Sequence, residues 1–270
     1  MTGDGVNDAP ALKRADIGVA MGITGVSKEA ADVVLRDDNF ATIVAAVEEG
    51  RTTYDNLRRF VSFAVAGNIG KILVMVGWPL ALLLTGTVSA ETAVALLPLQ
   101  LLWLNLMTDG LLGLAMGFEP AEPGSMRRGP TPPSAGLWHG GLGRRTVWVG
   151  LLVGVLSLGV GLVAQAAGDP AWQTMMFTTI AFAQVFQALG SRSATASVLA
   201  TPLSTNRVLL GIVPAVVVLQ LLALVTPLAG FLGLVPLTAA QLGICVGLSA
   251  VVLLVLEVAK ATSRVRATSR

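Results

Sequence analysis

Asn105, Thr108 and Asp109 stand at i, i+3 and i+4 in the run LPLQLLWLNLMTDGLLGLAMGF, a spacing that puts all three on one face of an α-helix. Together they offer an amide oxygen, a hydroxyl and a carboxylate, the hard oxygen ligands that suit Ca²⁺, Mg²⁺ or Na⁺. Asn68 and Lys71 share an i, i+3 spacing in the apolar run VAGNIGKILVMVGWPLALLL, and Gln184 and Gln187 share it further along. Hydrogen bonding between packed helices is the plainer use for all of these groups. A second constellation opens the chain, TGDGVNDAP. Its carboxylates Asp4 and Asp8, with Gly3 and Gly5 permitting a tight loop, could form a Mg²⁺ and phosphate site. An ordinary Asp/Gly/Asn turn is the alternative.

The elements that would position these groups are of two kinds. The 270 residues are 54% hydrophobic and only 13% charged, with a mean hydropathy of +0.75. A soluble domain is about one quarter charged. The net charge of +2 supplies no basic surplus for a nucleic-acid partner, and none is expected. Residues 1–59 read as soluble. Apolar runs at Ile17–Met21 and Val33–Leu35 alternate with helix-like segments, which predicts α/β structure. Asp38 or Asn39 then caps a long helix starting near Phe40 and continuing into the first span. Six apolar segments follow, at about 60–84, 93–117, 146–166, 172–190, 208–230 and 236–258. Each approaches the roughly 20 residues that cross the hydrocarbon core. The organisation read from this is a partial α/β domain at 1–38, a stalk helix at 39–59, six spans over 60–258 and a tail at 259–270.

Arginines and lysines cluster in alternate connections: Arg58 and Arg59, then Arg127, Arg128, Arg144 and Arg145, then Arg192 and Arg207. Lys260 and three arginines follow the last span, whereas the intervening loops carry no Lys or Arg. The bias predicts both termini on the cytoplasmic side, and a multi-pass protein of the plasma membrane. Lys71 alone of the 18 basic residues falls within a span. An ionised group there costs about 2.5–3.5 kcal/mol on insertion scales, so it needs a reason. Either it faces the interior and pairs with Asp109, or it snorkels or loses its proton in the core. Cys245, alone of its kind, reads as a small buried hydrophobe. His139 reads as a solvated loop residue; Trp103, Trp138, Trp148 and Trp172 lie in or near span ends, and interfacial anchoring accounts for most of them.

The stretch TGDGVNDAPALKRADIGVAMG (2–22) resembles the hinge motif of P-type ATPases, within the haloacid dehalogenase superfamily. DDNFATIVAAVEEGR (37–51) is similar to the stalk helix of the type II branch, which includes the calcium pumps. LQLLWLNLMTDG (99–110) and GFEP (117–120) are similar to its sixth transmembrane helix and the loop after it. The resemblance implies that the six spans are the family's fifth to tenth. It implies that Asp4 coordinates the catalytic Mg²⁺, with Thr2, Asn7 and Asp8 supporting an aspartyl-phosphate site. Asn68, Asn105, Thr108 and Asp109 would be membrane cation ligands, and Gln184 aligns less securely with an acidic ligand.

Two departures set the expectations. The family's DKTGT nucleophile, nucleotide-binding domain, actuator and first four spans do not occur in this sequence. The expected function is therefore the C-terminal part of an ATP-driven cation pump, contributing the hinge motif and the membrane site and not hydrolysing ATP alone. Its partners would be the missing N-terminal half, the lipid bilayer and a transported cation: Ca²⁺, Mg²⁺, a monovalent ion or a proton. A non-catalytic six-span subunit, or a split-gene half assembling with a chain that carries the nucleophile, is the alternative. The second departure is Lys71, where the calcium pumps carry a glutamate ligand. A tethered ammonium there would abolish one of two cation sites.

Overall fold

A computed structural model describes residues 1–21, 25–35, 39–87, 89, 92–132 and 135–268, with side chains as far as residue 264. It divides into two units, residues 1–52 with 123–127 and residues 53–122 with 128–270.

In the first unit, β1 (Thr2–Gly3), β2 (Val19–Ala20) and β3 (Val33–Val34) form a parallel sheet in that order. The helices α1 (Ala9–Arg14) and α2 (Gly25–Ala30) make the crossovers that parallel strands require. Leu12 of α1 and Ala20 of β2 are fully buried. Gly18 lets the chain pass under α1, since a Cβ there would lie 2.6 Å from the Leu12 carbonyl oxygen. The Asp32 carboxylate then ties the loops by accepting from the Gly18 amide at 2.8 Å. The two apolar runs read as strands are β2 and β3.

Helix α3 (Phe40–Thr85) runs for 46 residues. Asn39 caps it, its side-chain oxygen accepting from the Ala41 amide at 2.9 Å. Asp38, the other candidate cap, lies outside the described residues.

The second unit is a helical bundle. After α3 come α4 (Pro98–Trp103), a π-helical segment (Leu104–Gly110) and α5 (Leu111–Met116), which form one continuous rod. Then follow α6 (Leu142–Ala166), α7 (Trp172–Ser191), α8 (Arg207–Val225), the short α9 (Leu228–Phe231) and α10 (Ala239–Thr268). Among the described residues, five helices are long and apolar enough to cross a membrane: Phe40–Thr85, Pro98–Met116, His139–Ala166, Arg207–Val225 and Ala239–Arg264. The fourth expected span, α7, is not in that set. Its 20 residues make about 30 Å of helix, but most are buried against α6, α8 and α10. A helix enclosed by protein can carry Thr174, Thr178, Thr179, Gln184 and Gln187 in its buried face, because it does not have to match lipid. The architecture is that of a mainly helical, polytopic membrane protein.

Three boundaries move by about five residues or more. The second span begins at Pro98, not near residue 93, because the residue before a proline disfavours the helical region and Leu97 is extended (φ −72°, ψ 154°). Ala95 and Leu96, in the bend before it, are buried in the core with Trp78 and Phe177. The fifth span ends at Val225, and Thr226 and Pro227 turn the chain into α9. The last span runs on without a break into what reads as a tail, to Thr268. Two of the four tryptophans also make specific contacts with other helices. Trp172 stacks on Trp78 with ring centroids 4.3 Å apart, and Trp103 Nε1 donates to Gln220 Oε1 at 3.0 Å. Cys245 is fully buried and His139 exposed.

Candidate functional site

The polar residues of the spans converge on the π-helical segment. A π turn closes i→i+5 hydrogen bonds and holds more residues per turn than an α turn. Asn105, Thr108 and Asp109, which α-helical spacing groups on one face, all reach a single cluster between α3 and α7. Asn105 and Asp109 meet Lys71 of α3, while Thr108 and Asp109 meet Gln184 of α7.

Lys71 Nζ donates to Asp109 Oδ2 at 2.5 Å and to Asn105 Oδ1. Gln184 Nε2 donates to the other carboxylate oxygen, Asp109 Oδ1. The Thr108 hydroxyl lies against Gln184 Oε1 and against its own helix's Leu104 carbonyl at 2.5 Å. Lys71, Asp109, Gln184 and Thr108 thus form one chain of contacts across α3, the π segment and α7. The ion pair is enclosed, with the Lys71 side chain 6% exposed and that of Asp109 13%. Both oxygens of Asp109 are engaged, so no carboxylate oxygen in the cluster is free.

Close helix approach permits this. A Cβ on Gly67 would lie 2.6 Å from Gln184 Nε2 and 3.3 Å from Asp109 Oδ1. One turn along α3, Gly70 and Gly150 bring α3 against α6, a Cβ on Gly150 falling 2.6 Å from the Ala66 carbonyl. Gly113 admits the Phe60 ring, but Gly110 has only the Asn105 carbonyl of its own segment nearby.

Asn68 is exposed, its side chain making no hydrogen bond among the described residues. With Lys71 and Asn105 it lines a depression of about 230 Å³ whose other walls are apolar. Gln187, the partner of Gln184 in spacing, stays out of the cluster. Its Nε2 donates to the Phe63 carbonyl at 3.2 Å, as a plain interhelical bond would.

In the first unit, the Asp8 carboxylate folds back on its own loop, accepting from the amides of Asp4 at 3.1 Å and Gly5 at 3.0 Å. Gly3 is what allows it, because a Cβ there would sit 2.5 Å from Asp8 Cβ. Thr2, Asp4 and Asn7 are exposed around the end of β1. Mg²⁺ binds through one or two carboxylates while keeping waters and taking phosphate oxygens. One exposed carboxylate, a hydroxyl and an amide beside open solvent are a donor set that fits it. Among the described residues, no group of three or more His, Cys, Asp or Glu side chains could hold a metal by itself.

Sequence reasoning passed over a second enclosed ion pair. Arg192, counted only among basic loop residues, donates through Nε to Glu119 Oε1 at 2.8 Å, with side-chain exposures of 1% and 3%. Asn206 Nδ2 donates to the same carboxylate at 2.9 Å, and Asn56 Nδ2 to the Glu119 carbonyl at 2.7 Å. The GFEP motif carried the signal. It put a carboxylate at the end of an apolar helix, with no partner visible nearby in sequence.

Residues 93–262 match the family model described as the C-terminus of cation transporting ATPases. The chain belongs to that family. Its relatives include the calcium-transporting ATPase of Bacillus subtilis (strain 168), 40% identical over 93% of this chain and 28% of the relative. Calcium-transporting ATPase 1 of Bacillus cereus (strain ATCC 10987 / NRS 248) is 37% identical over 96% of the chain and 30% of the relative. Calcium-transporting ATPase 1 of Lactococcus lactis subsp. lactis (strain IL1403) is 40% identical over 78% and 23%. The chain spans less than a third of the length of these curated relatives. The resemblance to the calcium-pump-like branch of P-type ATPases agrees with the family and with its relatives.

Proposed function

We propose that this chain supplies the membrane cation site and the hinge loop of an ATP-driven cation pump that works through an aspartyl-phosphate in a longer parent. The observation that carries the reading is the enclosed ion pair of Lys71 with Asp109 at the centre of the membrane cluster. The Lys71 ammonium is held by Asn105 Oδ1 and Asp109 Oδ2, two oxygens of the kind that would otherwise hold a hard cation. An arriving ion must exchange with it, not add to it. Displaced, the ammonium can swing into the depression it shares with Asn68 and Asn105. When the ion leaves, Lys71 returns and neutralises Asp109 without a proton from solution. Lys71 is thus a tethered counter-charge, and Asn68, Asn105, Thr108, Asp109 and Gln184 are the oxygen donors. One carboxylate and one competing ammonium favour one ion per cycle, and the relatives' names make Ca²⁺ the first cation to test.

In the hinge loop, Asp4 would hold Mg²⁺, with Thr2, Asn7 and Asp8 shaping the phosphate site. Bound Mg²⁺ supplies charge neutralisation to phosphoryl oxygens. Asp8 positions Asp4 by holding the Asp4 and Gly5 amides, which fixes the turn that presents the exposed carboxylate. The orientation follows from the arginine bias, with the hinge loop and both termini on the cytoplasmic side of the plasma membrane.

Transport by the full-length pump reconstituted in vesicles tests the counter-charge. Lys71→Glu is expected to raise the number of Ca²⁺ moved per ATP or to change ion selectivity. Unchanged stoichiometry and selectivity would remove Lys71 from the site.

A further inference from the structure

A cavity of about 430 Å³ opens where residues 55–59 of α3, the start of α6 and residues 259–263 of α10 meet. Six cationic side chains line it, Arg58, Arg59, Arg128, Arg144, Arg145 and Lys260, against two carboxylates, Asp55 and Glu122. Those carboxylates are already engaged, Asp55 with Arg128 at 2.5 Å and Glu122 with Arg59 at 2.7 Å. Lys260 is held by Glu257 at 2.7 Å. Arg58 gives its donors to the Leu137 carbonyl at 2.9 Å and to the His139 carbonyl. Two arginines remain. Arg144 is exposed and pairs with no carboxylate among the described residues. Arg145 Nη2 is buried and has no hydrogen-bond partner.

A buried guanidinium N–H without an acceptor is costly, and water or a ligand is the usual remedy. Here the neighbours are also cationic, so an anion relieves both the unmade hydrogen bond and the crowding of charge. The planar fork of arginine matches phosphate oxygens in two parallel bonds. The loop before α6 adds to this, since Gly140 and Gly141 take left-handed conformations (φ +72° and +80°). They deliver the chain to the first turn of a 25-residue helix with no side chain capping it.

We propose that this cavity binds an anionic phosphate group, with Arg144 and Arg145 as its principal donors. It lies at the basic ends of membrane-crossing helices, where the phosphodiester of an anionic lipid headgroup is at hand. Basic pockets at such a level take anionic headgroups. A free phosphate compound has the same chemistry and is the other source.

The purified full chain in detergent micelles decides, with bound lipid read by native mass spectrometry. Phosphatidylglycerol is expected to be retained in preference to phosphatidylcholine, whose choline would bring a further cation into the cavity. Arg144→Gln is expected to weaken that retention at least about tenfold, the worth of one charge-assisted hydrogen bond, without lowering the melting temperature of the lipid-free chain. Arg145→Gln should weaken it further, and if that variant fails to fold, the exposed Arg144 carries the test. Displacement of phosphatidylglycerol by millimolar inorganic phosphate, which then protects the chain alone, would support the anion site and assign it to the soluble source. Equal retention of both lipids with no effect of phosphate overturns the proposal. So does retention unchanged by Arg144→Gln.

Discussion

At the scale of residues, the membrane site is governed by one enclosed ion pair and the amide that completes it. Removing one member of a buried pair leaves an uncompensated charge and costs about 3–5 kcal/mol. Lys71→Met should therefore lower the unfolding free energy of the chain in micelles by about that much. Lys71→Met combined with Asp109→Asn should recover most of the loss, because neither charge then remains alone. Additive losses in that double-mutant cycle would mean that the pair at 2.5 Å contributes no coupling. Asn68 behaves differently. It has no hydrogen-bond partner among the described residues, so Asn68→Ala should leave unfolding within about 0.5 kcal/mol and act only on cation affinity in the full-length pump.

At the scale of elements, the π segment and the small-residue contacts decide which side chains meet. Gly67 sits where a Cβ would strike Gln184 Nε2 at 2.6 Å. Gly67→Ala is expected to push α7 away, break the Gln184–Asp109 contact and cost about 1–3 kcal/mol by thermal unfolding. Gly110→Ala meets only its own segment's carbonyl at 3.4 Å and should be tolerated within about 1 kcal/mol. The polar residues themselves were legible from the sequence, because an amide, a hydroxyl or a charge in an apolar run stands out wherever it falls. Their grouping was only partly legible. The spacing of Asn105, Thr108 and Asp109 assumed an α-helix, whereas the segment is π-helical, and of the three only Asp109 reaches both Lys71 and Gln184. The same limit applied to α7, whose threonines and glutamines weaken its hydropathy because the bundle, not lipid, surrounds them.

At the scale of the whole molecule, a second network ties the helices of the bundle unit together. Glu119 gathers Arg192 from the end of α7 and Asn206 from the cap of α8, and its carbonyl takes Asn56 of α3. Glu119→Ala should destabilise the folded bundle by about 3–5 kcal/mol, since Arg192 would be left buried and unpaired. Circular dichroism melting in micelles would measure it. Nearby, burial pushes the Glu122 carboxyl upward. The Ala194 amide, the Arg59 guanidinium and the Ser193 hydroxyl outweigh that and hold it below its usual 4.5. A carboxyl depressed by folding stabilises the folded state above its unfolded pKa, and that contribution fades as pH falls through the folded value. The melting temperature should therefore drop as pH is lowered from about 4.5, and Glu122→Gln should flatten that part of the profile.

Sequence alone determined the membrane class, the order of the apolar segments and the identity of the polar groups placed in the spans, and it narrowed the cap of α3 to Asp38 or Asn39. These follow from local quantities: the length of an apolar run, the cost of a charge in hydrocarbon, the acceptor one residue before a helix. The tertiary structure decided which groups those polar residues bind. Lys71 meets Asp109 across 38 positions of sequence, Gln184 meets the same carboxylate across 75, and Arg192 meets Glu119 across 73. Nothing local distinguishes these pairings from their rivals. The choice rests on how closely two helix backbones can approach, and glycines such as Gly67 and Gly150 set that distance only when the helix facing them is in place.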